Sequence, residues 1–365
     1  MRLRAGIVLL LSIVLVVELP LLGLALVGQP LAAYLDFPPR TEQVEHAPFA
    51  WRAFVLVALP ILAVIALYIR ALHGARPGTA SPAVESFPWW GWLGFALIIA
   101  AWFLAWSRGI VPPGWQRHTF TPLWLGYILV MNALTLRRTG EAPLTRQPGL
   151  FLLLFPVSGT FWWLFEYLNQ FVDNWYYSGV QASTGWDYFL QDTLPFTTVL
   201  LAVLSTWAWL KSFPRLDTMR LSPVQPPAWF AWPALALGAF GLIGIGLCPD
   251  KFYFMLWTAP LLLLLGFQQV LMGETLLTPL TRGDWRPLLQ PPLAALYCGF
   301  FWEMWNWGSL ARWHYNIPYV ERFHLFEMPL LGYAGYLPFG VECAVVIDLV
   351  ARMKGRRPLC SLSRV

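Results

Sequence analysis

The sequence predicts an all-α, polytopic membrane protein with about ten transmembrane helices. Three observations predict it. The 365-residue chain is 58% hydrophobic and only 12% charged, against about 25% charged residues in soluble domains. Its apolar runs are close to the roughly 20 residues that cross a bilayer as a helix. A block of polar residues also recurs inside that apolar sequence, and repeats set architecture.

In a bilayer core every backbone polar group must bond internally, so the apolar runs are expected to be helices. They fall at 4–28, 52–73, 89–107, 122–137, 149–171, 189–211, 228–248, 252–273, 288–311 and 326–351. The alternating ten-residue segments of a membrane β-barrel are absent. Met1-Arg2-Leu3-Arg4 could open a secretory signal, but the apolar run continues past Glu18-Leu19-Pro20 to about Gly28. That is longer than a usual signal core, so an uncleaved first span is preferred.

Basic residues choose an orientation. Arg2, Arg4, Arg70, Arg76, Arg137, Arg138, Arg146, Lys211, Arg215, Arg220, Arg282, Arg286, Arg352, Lys354, Arg356 and Arg357 all fall on one side of a ten-span arrangement. That side would be cytoplasmic, with both termini on it, as in a bacterial inner membrane. Arg40, Arg108 and Arg117 dissent.

The recurring block begins with Pro143-Leu144-Thr145-Arg146 and continues with Glu166-Tyr167-Leu168-Asn169 and Trp175-Tyr176-Tyr177. Its second copy begins with Pro279-Leu280-Thr281-Arg282 and continues with Glu303-Met304-Trp305-Asn306 and Trp313-His314-Tyr315. Arg146 precedes Glu166 by 20 positions, and Arg282 precedes Glu303 by 21. The expected organisation is an N-terminal three-helix extension (1–121), a three-helix repeat (122–215), a linking helix (216–250), and a second three-helix repeat with a basic tail (251–365). Three helices per copy plus one linking helix give parallel repeats.

A carboxylate in a membrane helix is costly and marks function by default. Glu166 and Asn169 share one helix face, as do Glu303 and Asn306. With Asp192, Glu327 and Glu342 they are expected around one cavity between the copies. Desolvation and like-charge neighbours raise a carboxyl pKa, which suits one group to act as acid and another as base. Hydrogen bonding between helices is the structural alternative. Trp302 and Trp305, beside the second Glu, and Trp175, Trp313, Tyr177 and Tyr315 in the following loops, are candidate substrate contacts. Aromatic faces stabilise cations. Most other Trp residues, such as Trp89, Trp90 and Trp92, fit an interfacial belt. Gly332 to Gly340, with Pro338, is expected to distort the tenth helix.

Other chemistries lack support. Cys248, Cys298, Cys343 and Cys360 show no metal-ligand spacing. His46, His73, His118, His314 and His324 form no paired ligands on a helix. His314 and His324 are expected in exposed loops. Nucleophile-elbow, phosphate-loop and dinucleotide signatures are missing, and no basic stripe points to nucleic acid. A cofactor-independent site without metal is therefore expected, with the bilayer, membrane lipid or isoprenoid substrate, and another copy of the chain as the partners considered.

On the acid-bearing aromatic helices, the Trp-x-Tyr loops and the Asp192–Pro195 and Glu327–Pro329 segments, residues 122–351 resemble the integral-membrane lycopene cyclases of the heterodimeric bacterial type and their fused archaeal and fungal relatives. The third helix of that family opens with Pro before adjacent acids, a pair missing here. The resemblance implies two parallel three-helix units and an isoprenoid-modifying cyclase or hydratase-like activity, with Glu166, Glu303, Asp192 and Glu327 as candidate acids. The competing expectation is a lipid or isoprenoid carrier, or a proton-coupled transporter, around the same carboxylates. A third is an assembly subunit whose Trp-rich faces bind partner helices.

Overall fold

A computed structural model describes residues 1–75, 86–180 and 184–356. Arg76, Arg357 and Cys360 lie outside the described residues. The described chain is helical apart from two short antiparallel ribbons. Its long helices are α1 (Arg2–Leu26), α2 (Trp51–His73), α3 (Trp89–Trp106), α4 (Phe120–Thr139), α5 (Pro148–Val172), α6 (Gly185–Phe196), α7 (Val199–Lys211), α8 (Ala231–Leu247), α9 (Met255–Met272), α10 (Arg286–Gly308) and α11 (Tyr336–Met353).

Among the described residues, seven helical segments are long and apolar enough to cross a membrane, with α6 and α7 together forming one of them. Helix α8 is apolar but shorter. Helices α4 and α10 are long enough but less apolar, because they carry Asn132, Thr135, Gln290, Glu303 and Asn306 on buried faces. Neighbouring helices shield those groups. Helix α2 is the opposite case. Only Ala71 of it is buried, while Val55, Leu56, Leu59, Leu62, Ile65 and Ile69 are exposed. A peripheral helix apolar on its open faces suits a lipid surround.

Helices α7 and α11 sit at the centre. Helix α7 packs against α4, α5, α10 and α11, and α11 packs against α1, α9 and α10. Helix α3 lies along α4, and α8 lies along both α9 and α1. Lipid tails are as apolar as leucine, so close contact between small residues drives such packing. At the α1–α8 crossing, a Cβ on Gly246 would stand 2.1 Å from the Pro20 carbonyl oxygen, and one on Gly23 would stand 2.2 Å from that of Ile243. The backbones themselves touch there, and only glycine permits it.

The polar loops pair in two groups, one at each end of the bundle. At one end Arg286 bridges Asp217 and Asp284, Arg352 bridges Glu274 and Asp348, and Arg138 bonds Ser212. At the other, His46 bonds Asp250 and the Asp173 carbonyl, Asn316 bonds the Val44 carbonyl, and Arg108 bonds that of Ser309. The segment before α2 is thereby strapped over the end of α5 and tied to Asp250 and Asn316.

Two expectations need correction. The span predicted at 189–211 is two helices, α6 and α7, interrupted at Thr197 and Thr198, just after Pro195. The helix predicted from 326 starts at Tyr336. Residues before it form the ribbon β3 (His324–Leu325) with β4 (Met328–Pro329) and a 3-10 turn over Leu330–Gly335. Glu327 therefore sits in a turn between strands. Within the first 121 residues, α1 packs against α5, α8, α9 and α11, and α3 covers α4.

Candidate functional site

The two Trp-x-Tyr loops meet. Strand β1 (Trp175–Ser178) pairs antiparallel with β2 (Arg312–Tyr315), in the register Trp175 to Tyr315, Tyr176 to His314, Tyr177 to Trp313 and Ser178 to Arg312. Each strand is held to its own preceding helix by the recurring Asn. The Asn169 amide donates to the Trp175 carbonyl at 2.7 Å and accepts from its N–H at 3.3 Å. Asn306 makes the same pair with Trp313, at 2.8 and 2.9 Å. Both Asn side chains are fully buried. Their amides act as backbone surrogates that fix the strands, and neither faces a cavity.

The recurring Glu is enclosed by the same loop. Glu166 Oε1 accepts from the Trp162 indole at 2.9 Å, the Trp175 indole at 3.2 Å and the Tyr177 hydroxyl at 2.6 Å. Glu303 Oε1 accepts from the Tyr315 and Tyr336 hydroxyls, both at 2.9 Å. The Trp313 indole donates to the Tyr315 hydroxyl at 3.0 Å. Burial, and then the adjacent carboxylate, holds the Tyr177 and Tyr315 phenols well above their ordinary range, so both remain donors. Glu303 Oε2 is buried without a partner.

These donors form one wall of a cavity of about 120 Å³ between the two segments. Trp162, Trp175, Tyr177, Phe196, Trp257, Trp302, Trp313, Tyr315 and Tyr336 line it. A cavity of roughly 150 Å³ lined by apolar side chains holds benzene, so this one is on the scale of a single six-membered ring. Asp192 lines it as well, bonded to the Tyr188 hydroxyl through one oxygen, while Oδ2 is buried without a partner. Arg117 and Arg312 complete the lining.

Among the predicted site residues, the fold brings together Asp192, Trp175, Tyr177, Trp302, Trp313 and Tyr315 on the cavity surface. Glu166 and Glu303 stand one residue behind it, reached through Tyr177, Tyr315 and Tyr336. Five expected members lie elsewhere, the clamping Asn169 and Asn306 among them. Trp305 packs among Trp124, Trp102 and Phe301. Glu342 is buried in α11 and absent from the cavity wall. Glu327 is paired with Arg312 at 3.4 Å and His314 at 3.2 Å. His314 is not a free loop histidine; it lies within β2 and stacks on Tyr176.

Sequence reasoning missed Trp162, Trp257, Tyr336, Arg117 and Arg312 as lining residues. Trp162 was within reach, since it lies one helical turn before Glu166 on the same face. Tyr336 belongs to the glycine-rich segment singled out before α11. Nothing in the order of residues ties Trp257, in α9, to this place.

No protein-family model matches this chain, and no curated protein or solved structure matches it either.

Proposed function

We propose that this chain is a membrane enzyme that protonates a carbon–carbon double bond at one end of an isoprenoid chain, as a cyclase or hydratase-like catalyst. The observation that carries the reading is the unpartnered, buried carboxylate oxygen of Asp192 in a ring-sized aromatic cavity. A protonated Asp192 gives its proton to the alkene, forming a C–H bond and a carbocation. The faces of Trp162, Trp175, Trp257 and Trp302 stabilise that cation. In a cyclisation a second double bond attacks the cation and closes a ring. Loss of a proton to the Asp192 carboxylate then leaves an isomer and a regenerated acid. The Tyr–Glu pairs hold the cavity wall in place and give a route for proton exchange with Glu166 and Glu303.

The finer architecture belongs to the same proposal. Two parallel copies related by an axis through the β1–β2 ribbon account for the twofold use of Asn, Glu and Trp-x-Tyr. The packing of α8 along α9, like α3 along α4, extends each copy to four helices and turns the linking helix into the first of the second copy. The clustering of Arg138, Arg286 and Arg352 at one end supports placing that end, with both termini, in the cytoplasm. The cavity then opens near the outer surface. The likeness to lycopene cyclases is part of this reading and rests on residues 122–351.

One observation favours a second reading, a proton-coupled carrier. Glu342 is buried in central α11 with an unpartnered Oε2, the kind of group that marks ion pathways.

Deuterium uptake separates the two. Purified protein in heavy water is incubated with linear isoprenoids, lycopene among them, and the products are examined by mass spectrometry. Deuterium in an isomeric or hydrated product, reduced about 10²–10⁴-fold in Asp192→Asn, supports the enzyme. Unchanged isoprenoids from folded protein, with flux driven by a pH gradient in vesicles, would transfer the assignment to the carrier.

A further inference from the structure

The β1–β2 ribbon has a second face. Side chains alternate along a strand, so Tyr176, Ser178, Arg312 and His314 lie opposite the face that carries Trp175, Tyr177, Trp313 and Tyr315. On this second face Ser178 Oγ is 2.8 Å from His314 Nε2, and His314 Nδ1 is 3.2 Å from Glu327 Oε2. The tautomer with its proton on Nδ1 satisfies both contacts. It donates to Glu327 and leaves Nε2 to accept from the Ser178 hydroxyl. Tyr176 stacks on the imidazole, with ring centroids 5.3 Å apart, and fixes its plane.

We infer that Ser178, His314 and Glu327 form a nucleophilic acyl-transfer site for a lipid ester at the membrane surface. Such constellations are recognised by geometry and role, not by sequence order. Ser178 is the nucleophile, His314 the general base, and Glu327 the residue that positions His314. Two arginines belong to the serine's immediate backbone surroundings, and the Arg312 guanidinium is held by Glu327 and the Trp307 carbonyl. Arg312 is its register partner in β2, and Arg117 donates to the carbonyl of Gly179, the next residue, at 3.2 Å. Gly179 turns the chain with φ +71, and a Cβ there would stand 2.1 Å from the Leu310 carbonyl oxygen. The serine thus ends its strand on a turn that only glycine can make.

The substrate class follows from the surroundings. Phe326, adjacent to Glu327, packs edge-on and tilted against Phe300 and Trp307, with centroids 5.5 and 6.3 Å away. Phe300 and Trp307 are 43% and 52% exposed. An acyl chain can lie on this aromatic strip while its ester carbonyl reaches Ser178. In the first step Ser178 Oγ bonds to the carbonyl carbon and its proton passes to His314. The ester C–O bond then breaks, and the leaving alcohol takes that proton. Water, deprotonated by His314, releases the carboxylic acid and restores the serine.

The test is covalent labelling of the full chain in detergent with a fluorophosphonate, followed by peptide mapping. The expected result is one adduct, on Ser178, lost in Ser178→Ala and slowed about 10²-fold or more in His314→Gln. Hydrolysis of p-nitrophenyl butyrate should fall in parallel. In Glu327→Gln the pH–rate profile should shift, which loss of packing alone would not produce. No adduct on folded wild-type protein, or an adduct undiminished in His314→Gln, overturns the proposal. The readout is independent of deuterium uptake, so either assignment can fail while the other stands.

Discussion

Tyr176 and His314 face one another directly across the β1–β2 ribbon and stack at 5.3 Å with 27° between their planes. They are also the middle residues of the two Trp-x-Tyr triplets. This coincidence defines a local twofold relation, because residues on either side of the pair exchange roles: Trp175 meets Tyr315 and Tyr177 meets Trp313. Each triplet reaches inward to the Glu of its own helix. The ribbon therefore fixes both carboxylates relative to one cavity, and any change that loosens it acts on both.

The clamp that anchors the ribbon predicts a stability loss. Asn306→Ala removes a donor and an acceptor from the Trp313 main chain in a buried setting. Each buried group left unpaired costs about 1–3 kcal/mol. Thermal unfolding in detergent should show a marked fall in Tm, with Asn169→Ala alike and Asn306→Asp milder, since Asp keeps the acceptor. A Tm within one degree of wild type would mean that the ribbon holds without the clamp.

The glycine crossing of α1 with α8 predicts a second. Gly246→Ala sets a methyl group where the Pro20 carbonyl already stands, so the helices must separate. Overpacking of this kind costs about 1–3 kcal/mol. Limited proteolysis should cut the Gly28–Ala50 segment faster in the variant, as α1 and the strap behind it detach. A cleavage rate equal to wild type would show that the crossing can relax.

How much of this was legible depended on whether the deciding contact was local. Apolar runs gave the helices closely, because their length and composition are set residue by residue. The break at Thr197 and Thr198 was hidden, since an apolar run reads the same whether or not two carbonyls mid-way leave the helical pattern. Residues 326–329 were misread as helix because Phe326 and Met328 are apolar, yet Phe326 takes φ 58 and Met328–Pro329 pairs as a ribbon, while Leu330–Gly335 is a 3-10 helix that leads into α11. The repeat pointed to Glu166, Glu303 and both Trp-x-Tyr triplets, but it did not say that Asn clamps backbone or that tyrosines screen the Glu from the cavity. Those facts depend on how two segments 138 positions apart dock, as at Tyr176 and His314. The same holds for Ser178 with His314, which are 136 residues apart.

Two aspartates at opposite ends of the bundle predict opposite pH effects. Burial, partly offset by His46, pushes the Asp173 carboxyl up to about 6. Its folded form holds the proton more tightly, so its contribution is full below the ordinary value near about 4 and is lost as pH rises through about 6. Burial would raise Asp284 too, but the hydrogen bonds and charge of Arg286 outweigh it and hold its carboxyl below the ordinary range. Its contribution is present above the ordinary value and is lost as pH falls through the lowered one. In thermal unfolding against pH, Asp173→Asn should flatten the change between about 4 and 6, and Asp284→Asn the change below about 4. Superimposable curves for all three proteins would discard both assignments.

The two hydroxyls on Glu303 predict coupling rather than simple addition. Tyr315 and Tyr336 both donate to Oε1 at 2.9 Å, while Oε2 has no partner. Removing one hydroxyl leaves the other to serve the buried carboxyl, so Tyr315→Phe and Tyr336→Phe should each cost about 0.5–1.5 kcal/mol. Removing both strips the buried Glu303 Oε1 of these two donors, and residues sharing one network typically couple by about 0.5–3 kcal/mol. The double variant should thus lose more stability than the two single losses combined. Adding Glu303→Gln to it should restore part of the loss, because a neutral amide needs fewer donors than a carboxylate. Strict additivity in the cycle would show that Glu303 is held by the fold around it and not by the two phenols.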